Sequence, residues 1–280
     1  MFSYRHIYHA GNYADVFKHV VLLALIQALQ RKDTGFCVQD THAGIGLYDL
    51  HSQQARKNRE FDMGVELIRQ STDQPDLIKD YLGIVQACNE GKALDYYPGS
   101  PMIARKLLRP QDQMVLTELN ETDYALLKRG FRGDAQVAVH HQDAWTGLKA
   151  FLPPRLKRGL VLIDPPYELK SEVPDMVKAL TAAHKKWPTG MYAIWYPIFE
   201  DNFDKRIARQ LKESGIRKIL DCHMTIRDAS DGRRMIGTGM FIINPPWQLE
   251  EQLQPVLEYL WNTLSQAQIG SVGIDWIVPE

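Results

Sequence analysis

The sequence predicts an α/β protein built on one doubly wound, mostly parallel sheet, with a small all-helical insertion. Three observations support this fold class. Apolar strands alternate with amphipathic helices along most of the chain, which is typical of a parallel sheet covered on both faces. A glycine-containing loop directly follows the first predicted strand. Four predicted strands also end at an acidic residue, which would place four carboxylates along one edge of the sheet.

The length, composition and net charge are those of an ordinary globular protein. Of the 280 residues, 45% are hydrophobic and 24% are charged, and 33 basic residues nearly balance 34 acidic ones. A net charge of -1 argues against a protein that coats nucleic acid without specificity. The three cysteines lie far apart and form no Cys-x-x-Cys pair, so neither a zinc site nor a disulfide framework is expected.

A cytoplasmic protein without membrane contact is expected. The first residues lack the apolar segment of a signal peptide. The apolar run from Val20 to Ile26 is too short to span a bilayer.

The chain opens with a polar and aromatic segment, residues 1–12. Asn12 can cap the apolar helix that is predicted over residues 13–30, which carries Lys18 and His19. A strand follows at 36–40, and then the glycine loop Gly44-Ile45-Gly46. A strand, an acid, a glycine loop and a helix in this order are typical of the start of a nucleotide-binding α/β unit.

Residues 51–95 interrupt the alternation of strands and helices with two predicted helices, at 60–70 and 76–89. We therefore predict a main domain formed by residues 1–50 and 96–280, in which segment 1–12 faces the substrate, and a helical insertion subdomain at 51–95. The main domain is expected to contain about seven strands, the last ones antiparallel. After the insertion, strands are predicted at 113–118, 135–140, 159–163, 191–196, 217–225, 240–244 and 272–278, and helices at 102–108, 123–131, 144–151, 173–186, 201–214 and 249–264.

The four strand-end acids are Asp40, Glu118, Asp143 and Asp164. Solvated turn residues are the simpler explanation for any one of them, since Asp favours turns. Together they would line one crevice, in which Gly44 allows the backbone to approach a ligand closely. Acids disfavour a phosphate and favour a cation, and neither a Walker loop nor a complete Gly-x-Gly-x-x-Gly is present. S-adenosylmethionine, which carries a sulfonium and no phosphate, is the cofactor that fits.

The stretch Asp164-Pro165-Pro166-Tyr167 ends a buried apolar strand and suits methyl transfer to an amine. The exocyclic amine of a nucleobase is a poor nucleophile because its lone pair is delocalised. The Asp164 carboxylate and the Pro165 carbonyl can accept its two N–H groups and direct the lone pair at a methyl group. Tyr167 can stack on a base that has been taken out of its helix. We interpret Asp164, Pro165 and Tyr167 as catalytic residues.

A second motif of the same kind, Asn244-Pro245-Pro246-Trp247, could perform this chemistry. It follows a predicted antiparallel strand, whose end points away from the other strand ends. It also comes too late in the chain for the sheet to be completed after it. Ending a strand is the expected role of this second motif.

No metal site is expected, because the histidines at 6, 9, 19 and 42 lack the spacing of a ligand pair on one helix and have no cysteine pair nearby. Contacts with RNA are expected at the N-terminus. There, Tyr4, Arg5 and His6 interleave aromatic and basic side chains that suit stacking on single-stranded bases.

Several motifs together resemble the RlmJ family of 23S ribosomal RNA adenine-N(6) methyltransferases, from one end of the chain to the other. The matching segments are Tyr4-Arg5-His6, His9-Ala10-Gly11-Asn12, Ala14-Asp15-Val16 with Lys18-His19, Asp40-Thr41-His42-Ala43-Gly44, Tyr97-Pro98-Gly99-Ser100-Pro101, Leu162-Ile163-Asp164-Pro165-Pro166-Tyr167, Trp195-Tyr196-Pro197, Gly215-Ile216-Arg217-Lys218 and Trp276-Ile277-Val278-Pro279-Glu280. The resemblance implies a class I methyltransferase fold, Rossmann-like, with about seven strands.

The resemblance also implies roles for individual residues. Lys18 would lie beside the cofactor, Tyr4 and His6 would face the RNA, and Asp164 would be the catalytic carboxylate. Ala144 stands where the family pattern has a glycine, a change that a backbone contact would survive. The residues that would contact S-adenosylmethionine are His19, His42, Ser100, Glu118, Asp143, Ala144 and Asp164.

The sequence therefore predicts methylation of a flipped adenine in 23S ribosomal RNA by an S-adenosylmethionine-dependent, monomeric enzyme. The RNA would be naked or part of an early assembly particle. Two other functions stay open: a DNA adenine-N6 methyltransferase, and a non-catalytic RNA-binding protein. The intact Asp164-Pro165-Pro166-Tyr167 motif opposes the latter, and the lack of a large target-recognition segment after it opposes the former.

Overall fold

The computed structural model describes residues 5–228, 235–265 and 267–280. An eight-stranded sheet forms the centre of the protein, and a two-stranded ribbon lies beside it. The strands are β1 (Cys37–Asp40), β2 (Leu47–Asp49), β3 (Tyr96–Pro98), β4 (Gln113–Glu118), β5 (Val137–His141), β6 (Gly159–Ile163), β7 (Met191–Phe199), β8 (Ile219–Thr225), β9 (Met235–Ile243) and β10 (Ser271–Val278). The helices are α1 (Tyr13–Gln30), α2 (Gln53–Asn58), α3 (Val65–Gln70), α4 (Asp76–Gln86), α5 (Ser100–Leu107), α6 (Glu121–Gly130), α7 (Ala144–Phe151), α8 (Glu172–Lys186), α9 (Phe203–Glu213) and α10 (Leu249–Leu264).

The large sheet has the strand order β10-β8-β9-β7-β6-β1-β4-β5. Strands β5, β4, β1, β6 and β7 are parallel to their neighbours, whereas β9, β8 and β10 join β7 through antiparallel pairs. Helices cover both faces, with α1, α4, α5 and α10 in one apolar core and α7, α8 and α9 in the other. The predicted fold class is confirmed: a doubly wound sheet whose last strands are antiparallel.

Helix α1 is almost entirely buried because the other helices of its face and several strands surround it. Asn12 caps it as predicted, since its side chain accepts the backbone N–H groups of Ala14 and Asp15. Length and hydropathy alone would let α1 cross a membrane. Because 83% of that apolar window is buried by the rest of the protein, α1 is explained as a core helix.

Strands β2 and β3 form an antiparallel ribbon in which Tyr48 pairs with Tyr97. Helices α2, α3 and α4 and a 3-10 turn, Glu60–Met63, lie between the two strands along the chain. The sequence predicted helices in this segment but not the ribbon. The ribbon joins the two points at which residues 51–95 leave and rejoin the rest of the chain, and their treatment as a separate subdomain stays a prediction.

Candidate active site

The four strand-end acids follow strands that are direct neighbours in the sheet. Because the order is β6, β1, β4, β5, their side chains come in the order Asp164, Asp40, Glu118, Asp143 along the carboxyl edge. All but Asp40 line a cavity of about 360 Å³, which we call the first cavity. Other predicted residues that line it are His6, Lys18, His19, His42, Gly44, Ser100, Ala144 and Pro165. The structure thus brings together the residues that the sequence placed at this edge.

Asp164 is held by a lysine from α1. The Lys18 ammonium lies 2.6 Å from Asp164 Oδ2 and 2.9 Å from Asp15 Oδ1. Asp15 Oδ2 in turn contacts the imidazole of His6, at 2.9 Å, and accepts the backbone N–H of Gly11. The Asp15 side chain is buried, whereas that of Asp164 is partly exposed. Lys18 therefore links the buried Asp15 to Asp164, which lines the cavity.

Electrostatics keep Lys18 and Asp15 charged despite their burial. Burial alone would lower the pKa of Lys18, but the carboxylates of Asp15 and Asp164 outweigh it and raise the pKa well above its ordinary value. Burial likewise favours the neutral form of Asp15, but His6 and Lys18 hold its pKa well below the ordinary value. Lys18 is therefore a permanent cation beside Asp164 at neutral pH.

Asp40 lies beneath the first cavity. Its carboxylate accepts the hydroxyl of Ser100 at 2.6 Å and the backbone N–H of His42 at 3.2 Å. Burial raises the pKa of Asp40 to about 6, although both hydrogen bonds favour the ionised form. Asp40 thus acts on the cavity through the two residues that it positions, Ser100 and His42.

The glycine loop closes on Glu118. Gly44 has a φ of +59°, and a Cβ there would collide with the Tyr48 hydroxyl, so both backbone conformation and space require glycine. Its N–H donates to Glu118 Oε2 at 2.8 Å, and the N–H of Asn120 donates to Oε1 at 2.7 Å. Burial raises the pKa of Glu118 despite these donors. The carboxylate has about four lone-pair sites, so Glu118 can still accept a hydrogen bond from a ligand hydroxyl.

Asp143 and Ala144 begin α7 at the next strand end. The Asp143 side chain caps the helix by accepting the N–H and the hydroxyl of Thr146. Ala144 is buried against the first cavity. The strand-end position of Asp143 thus has a structural reason as well, which is the cap.

Two histidines of the first cavity are neutral. Burial lowers the pKa of His19 to about 3 and that of His42 to about 4. His19 Nδ1 lies 2.8 Å from the hydroxyl of Tyr97, and the ring of His42 packs edge-on against Trp145. Neutral imidazoles can accept or donate hydrogen bonds here, but they add no charge to the cavity.

Tyr167 does not line the first cavity. A φ of +54° turns the chain, and its hydroxyl donates to the carbonyl of Trp195 at 2.6 Å while its ring packs edge-on against Phe203. The sequence predicts that this ring stacks on the flipped base, and that role stays a prediction. Trp195 lines the first cavity together with Asp164, and its ring centroid lies 5.7 Å from the Lys18 ammonium.

The N-terminal residues reach the same region in part. Tyr4 lies outside the described residues. Arg5 forms an ion pair with Asp123, at 3.2 Å, and Asp123 lines the first cavity. His6 lines the cavity too, with its ring 5.1 Å from that of Tyr48. Contacts of Arg5 and His6 with RNA stay predictions.

Asp164 also lines a second cavity, of about 620 Å³. It shares five residues with the first: His6, Lys18, Asp164, Pro166 and Trp195. Its outer wall includes Arg59 and Met63 of the predicted insertion and Arg227 after β8. The sequence did not indicate this cavity, because its walls come from distant segments with no shared motif.

The rival motif has a structural role. The Asn244 amide donates to the carbonyls of Pro188 and Gly190, at 2.8 and 2.7 Å. Strand β9 runs antiparallel to β7, so it ends beside Tyr192 near the start of β7, at the edge opposite the acids. Trp247 is 81% exposed there. The interpretation of this motif as the end of a strand is confirmed.

Comparisons with known proteins agree with this architecture. Residues 33–278 match the family described as ribosomal RNA large subunit methyltransferase D, RlmJ. Proteins named ribosomal RNA large subunit methyltransferase J are similar over the full length of both chains, with 46% identity in Haemophilus influenzae and 45% in Escherichia coli. A crystal structure of a Legionella pneumophila protein, 34% identical, superposes with a TM-score of 0.88 over 96% of this chain and 98% of that one. The chain therefore belongs to the RlmJ family of ribosomal RNA large subunit methyltransferases.

Proposed function

We propose that this protein transfers a methyl group from S-adenosylmethionine to N6 of an adenine in 23S ribosomal RNA. Family membership supports methylation of ribosomal RNA. One observation carries the finer assignment: Asp164 stands where two cavities meet, with one oxygen held by Lys18. A methyl donor in one cavity and a nucleobase in the other would place their reacting atoms at this carboxylate.

The first cavity fits the donor. Gly44, Glu118 and Asp143 suit an adenosine, because a strand-end carboxylate can accept ribose hydroxyls and the glycine admits close backbone contact. Carboxylates along the edge attract a sulfonium cation and repel a phosphate. His19, His42, Ser100, Ala144 and Asp164 complete the proposed binding site, with Lys18 beside it.

The second cavity suits the base. Lys18 occupies Asp164 Oδ2, whereas Oδ1 has no partner among the described residues and is free to accept an N–H of the exocyclic amine. Pro165 follows directly, and we propose that its carbonyl accepts the other N–H. The indole of Trp195 lines both cavities and offers a stacking surface, with its N–H held by Thr238 at 2.8 Å.

These residues would act by positioning and electrostatics. Bound S-adenosylmethionine supplies an electrophilic methyl group. Asp164 and Pro165 orient the amine lone pair towards it and stabilise the positive charge that develops on nitrogen. The methylated nitrogen is strongly acidic and loses its proton to water, so no general base is required. Lys18 holds the Asp164 carboxylate through the 2.6 Å ion pair and so fixes its orientation throughout.

The remaining features of the proposal follow from this substrate. The protein would act as a monomer in the cytoplasm, on naked 23S RNA or on an early assembly particle. Arg5, His6 and Tyr4 would contact the RNA beside the cavities, and the segment at 51–95 would form one wall of the base site through Arg59 and Met63.

Mass spectrometry of nucleosides tests the proposal. 23S RNA from cells that lack the gene should lose one N6-methyladenosine, and the purified protein should restore it with S-adenosylmethionine. Asp164→Asn keeps the shape of the side chain but loses its charge, and should slow transfer roughly 10²- to 10³-fold. Retention of near-normal rates by this variant would refute the role of Asp164. Faster methylation of duplex DNA than of 23S RNA in competition would instead support a DNA methyltransferase, and binding of RNA without any transfer a non-catalytic protein.

A further inference from the structure

Three buried side chains form a hydrogen-bonded chain that starts at the first cavity. His19 Nδ1 lies 2.8 Å from the Tyr97 hydroxyl, which lies 2.9 Å from the hydroxyl of Tyr81. The exposed fraction is 1% for His19 and 0% for both tyrosines. His19 belongs to α1, Tyr97 to β3 and Tyr81 to α4. These hydrogen bonds therefore connect the first cavity with the predicted insertion.

Counting the available protons shows which group donates in each of these hydrogen bonds. Each tyrosine hydroxyl has one proton to donate, and the hydroxyl of Tyr81 has no partner among the described residues except Tyr97. Because a buried O–H is almost always paired, Tyr81 donates to Tyr97, and Tyr97 donates to His19 Nδ1. The opposite direction would leave the Tyr81 proton buried without an acceptor.

The direction decides the tautomer of His19. Its Nδ1 accepts, and burial keeps the ring neutral by lowering its pKa to about 3, so its single N–H proton resides on Nε2. His19 lines the first cavity, and Nε2 has no partner among the described residues. The protein therefore presents an uncharged hydrogen-bond donor to whatever occupies that part of the cavity.

We propose that Tyr97 and Tyr81 hold His19 as an N–H donor for the carboxylate of the methionine moiety of S-adenosylmethionine. This inference rests on the proposed function. The methyl group must reach Asp164 at β6, while Glu118 and Asp143 at β4 and β5 would bind the adenosine. The amino-acid end of the donor then lies on the side of α1 and Ser100, where His19 is.

The tautomer would also select the orientation of that amino-acid end. The methionine moiety carries one group that accepts hydrogen bonds, its carboxylate, and one that donates, its ammonium. An Nε2–H can bind the carboxylate only, whereas the other tautomer would present a lone pair to the ammonium. Tyr97 is thus a positioning residue that acts through His19, and Tyr81 gives the segment at 51–95 a role at the donor site.

Nitrogen NMR on the full-length protein with ¹⁵N-labelled histidine tests the tautomer directly. The two ring nitrogens of a neutral imidazole differ strongly in chemical shift according to which one carries the proton. His19→Gln identifies the His19 signals by their disappearance. We expect a protonated Nε2 and an unprotonated Nδ1 at pH 7. A proton on Nδ1 would overturn the inference.

Calorimetry with two ligands tests the role of the carboxylate. Tyr97→Phe removes the O–H that holds the tautomer and orientation of the His19 ring, so it should weaken the hydrogen bond from His19 to the carboxylate and lower the affinity for S-adenosylhomocysteine by up to roughly tenfold. Binding of 5′-methylthioadenosine, which lacks the amino-acid end, should change less than about twofold. Equal losses for both ligands, or none, would overturn the inference.

Tyr192→Phe is the matched control, because the buried Tyr192 hydroxyl donates to a backbone carbonyl, that of Trp187, in the other core. We expect this variant to leave both the His19 signals and both affinities unchanged. No binding of S-adenosylhomocysteine to the unaltered protein would refute the proposed methyl donor and this role of His19 together. The NMR result would still report the tautomer, so the two failures can be distinguished.

Discussion

Replacing Lys18 with methionine tests the buried charge network by its effect on stability. Methionine has nearly the volume of the lysine stem, so packing should change little while the cation is removed. Asp164 would then lose the ammonium that contacts it, and Asp15 would keep only the His6 imidazole as a side-chain partner among the described residues. Removing one partner of a buried ion pair costs about 3–5 kcal/mol. Because the Asp164 side chain is 15% exposed and keeps some hydration, we expect about 3 kcal/mol, the lower end of that range.

For a protein of this size, that loss corresponds to a melting temperature roughly 6 °C lower, measurable by calorimetry at pH 7. The chain contains a matched control. Lys79 and Asp76 have the same spacing in sequence and the same 2.9 Å separation as Lys18 and Asp15, but their side chains are 60% and 95% exposed. Lys79→Met should therefore shift the melting temperature by less than about 2 °C.

The pH dependence gives the prediction its sign. In the unaltered protein the pKa of Asp15 is depressed, so its contribution to stability is present above the ordinary pKa and is lost as the pH falls through the folded-state pKa. In Lys18→Met, burial should dominate and raise the pKa of Asp15. As the pH falls, Asp15 of the folded variant then binds a proton at a higher pH than in the unfolded chain, which stabilises the variant. The difference in free energy of unfolding between the unaltered protein and Lys18→Met should therefore narrow from pH 7 towards pH 4. A gap that stays constant, or equals that of Lys79→Met, would refute this reasoning.

Two further substitutions test the glycine loop and the second proline motif. Gly44→Ala should weaken binding of S-adenosylhomocysteine and lower stability, because alanine is strained at a φ of +59° and would meet the Tyr48 hydroxyl. Gly83→Ala, in α4 with open space around it, should instead leave binding unchanged and stability equal or higher. Asn244→Ala should cost about 1–3 kcal/mol in denaturant unfolding, since two hydrogen bonds are lost. It should leave methyl transfer intact at temperatures where the variant is folded, and loss of transfer there would contradict the assignment to Asp164.

Periodic segments of the sequence predicted the elements that position the site. The predicted bounds of α1, β4, α7 and α10 agree with the structure, because each has a clear apolar period and a cap or breaker at its ends. Strand β7 was predicted to end at Tyr196 but continues through Pro197 to Phe199 in its antiparallel pairing with β9. The ribbon of β2 and β3 was missed because three-residue strands have too few side chains for a period to show.

The strand-end acids were predictable, because the topology rule for parallel sheets converts positions in the sequence into positions along one edge. The support of Asp164 was not, since Lys18 precedes it by 146 residues and nothing local links the two. The direction of the Tyr167 ring depends on one backbone angle in a turn, which a motif does not contain. The second cavity likewise exists only after distant segments have packed together.

Helix α1 has a consequence for the order of events during synthesis. It lies early in the chain, but part of its covering comes from β9 and α10, which end at residues 243 and 264. Most of its side chains are apolar, so the nascent chain exposes an apolar helix surface while those later segments are still being synthesised. Contacts this distant in sequence also close slowly. We therefore expect a chaperone to bind helix α1, which supplies Lys18 and His19, during synthesis.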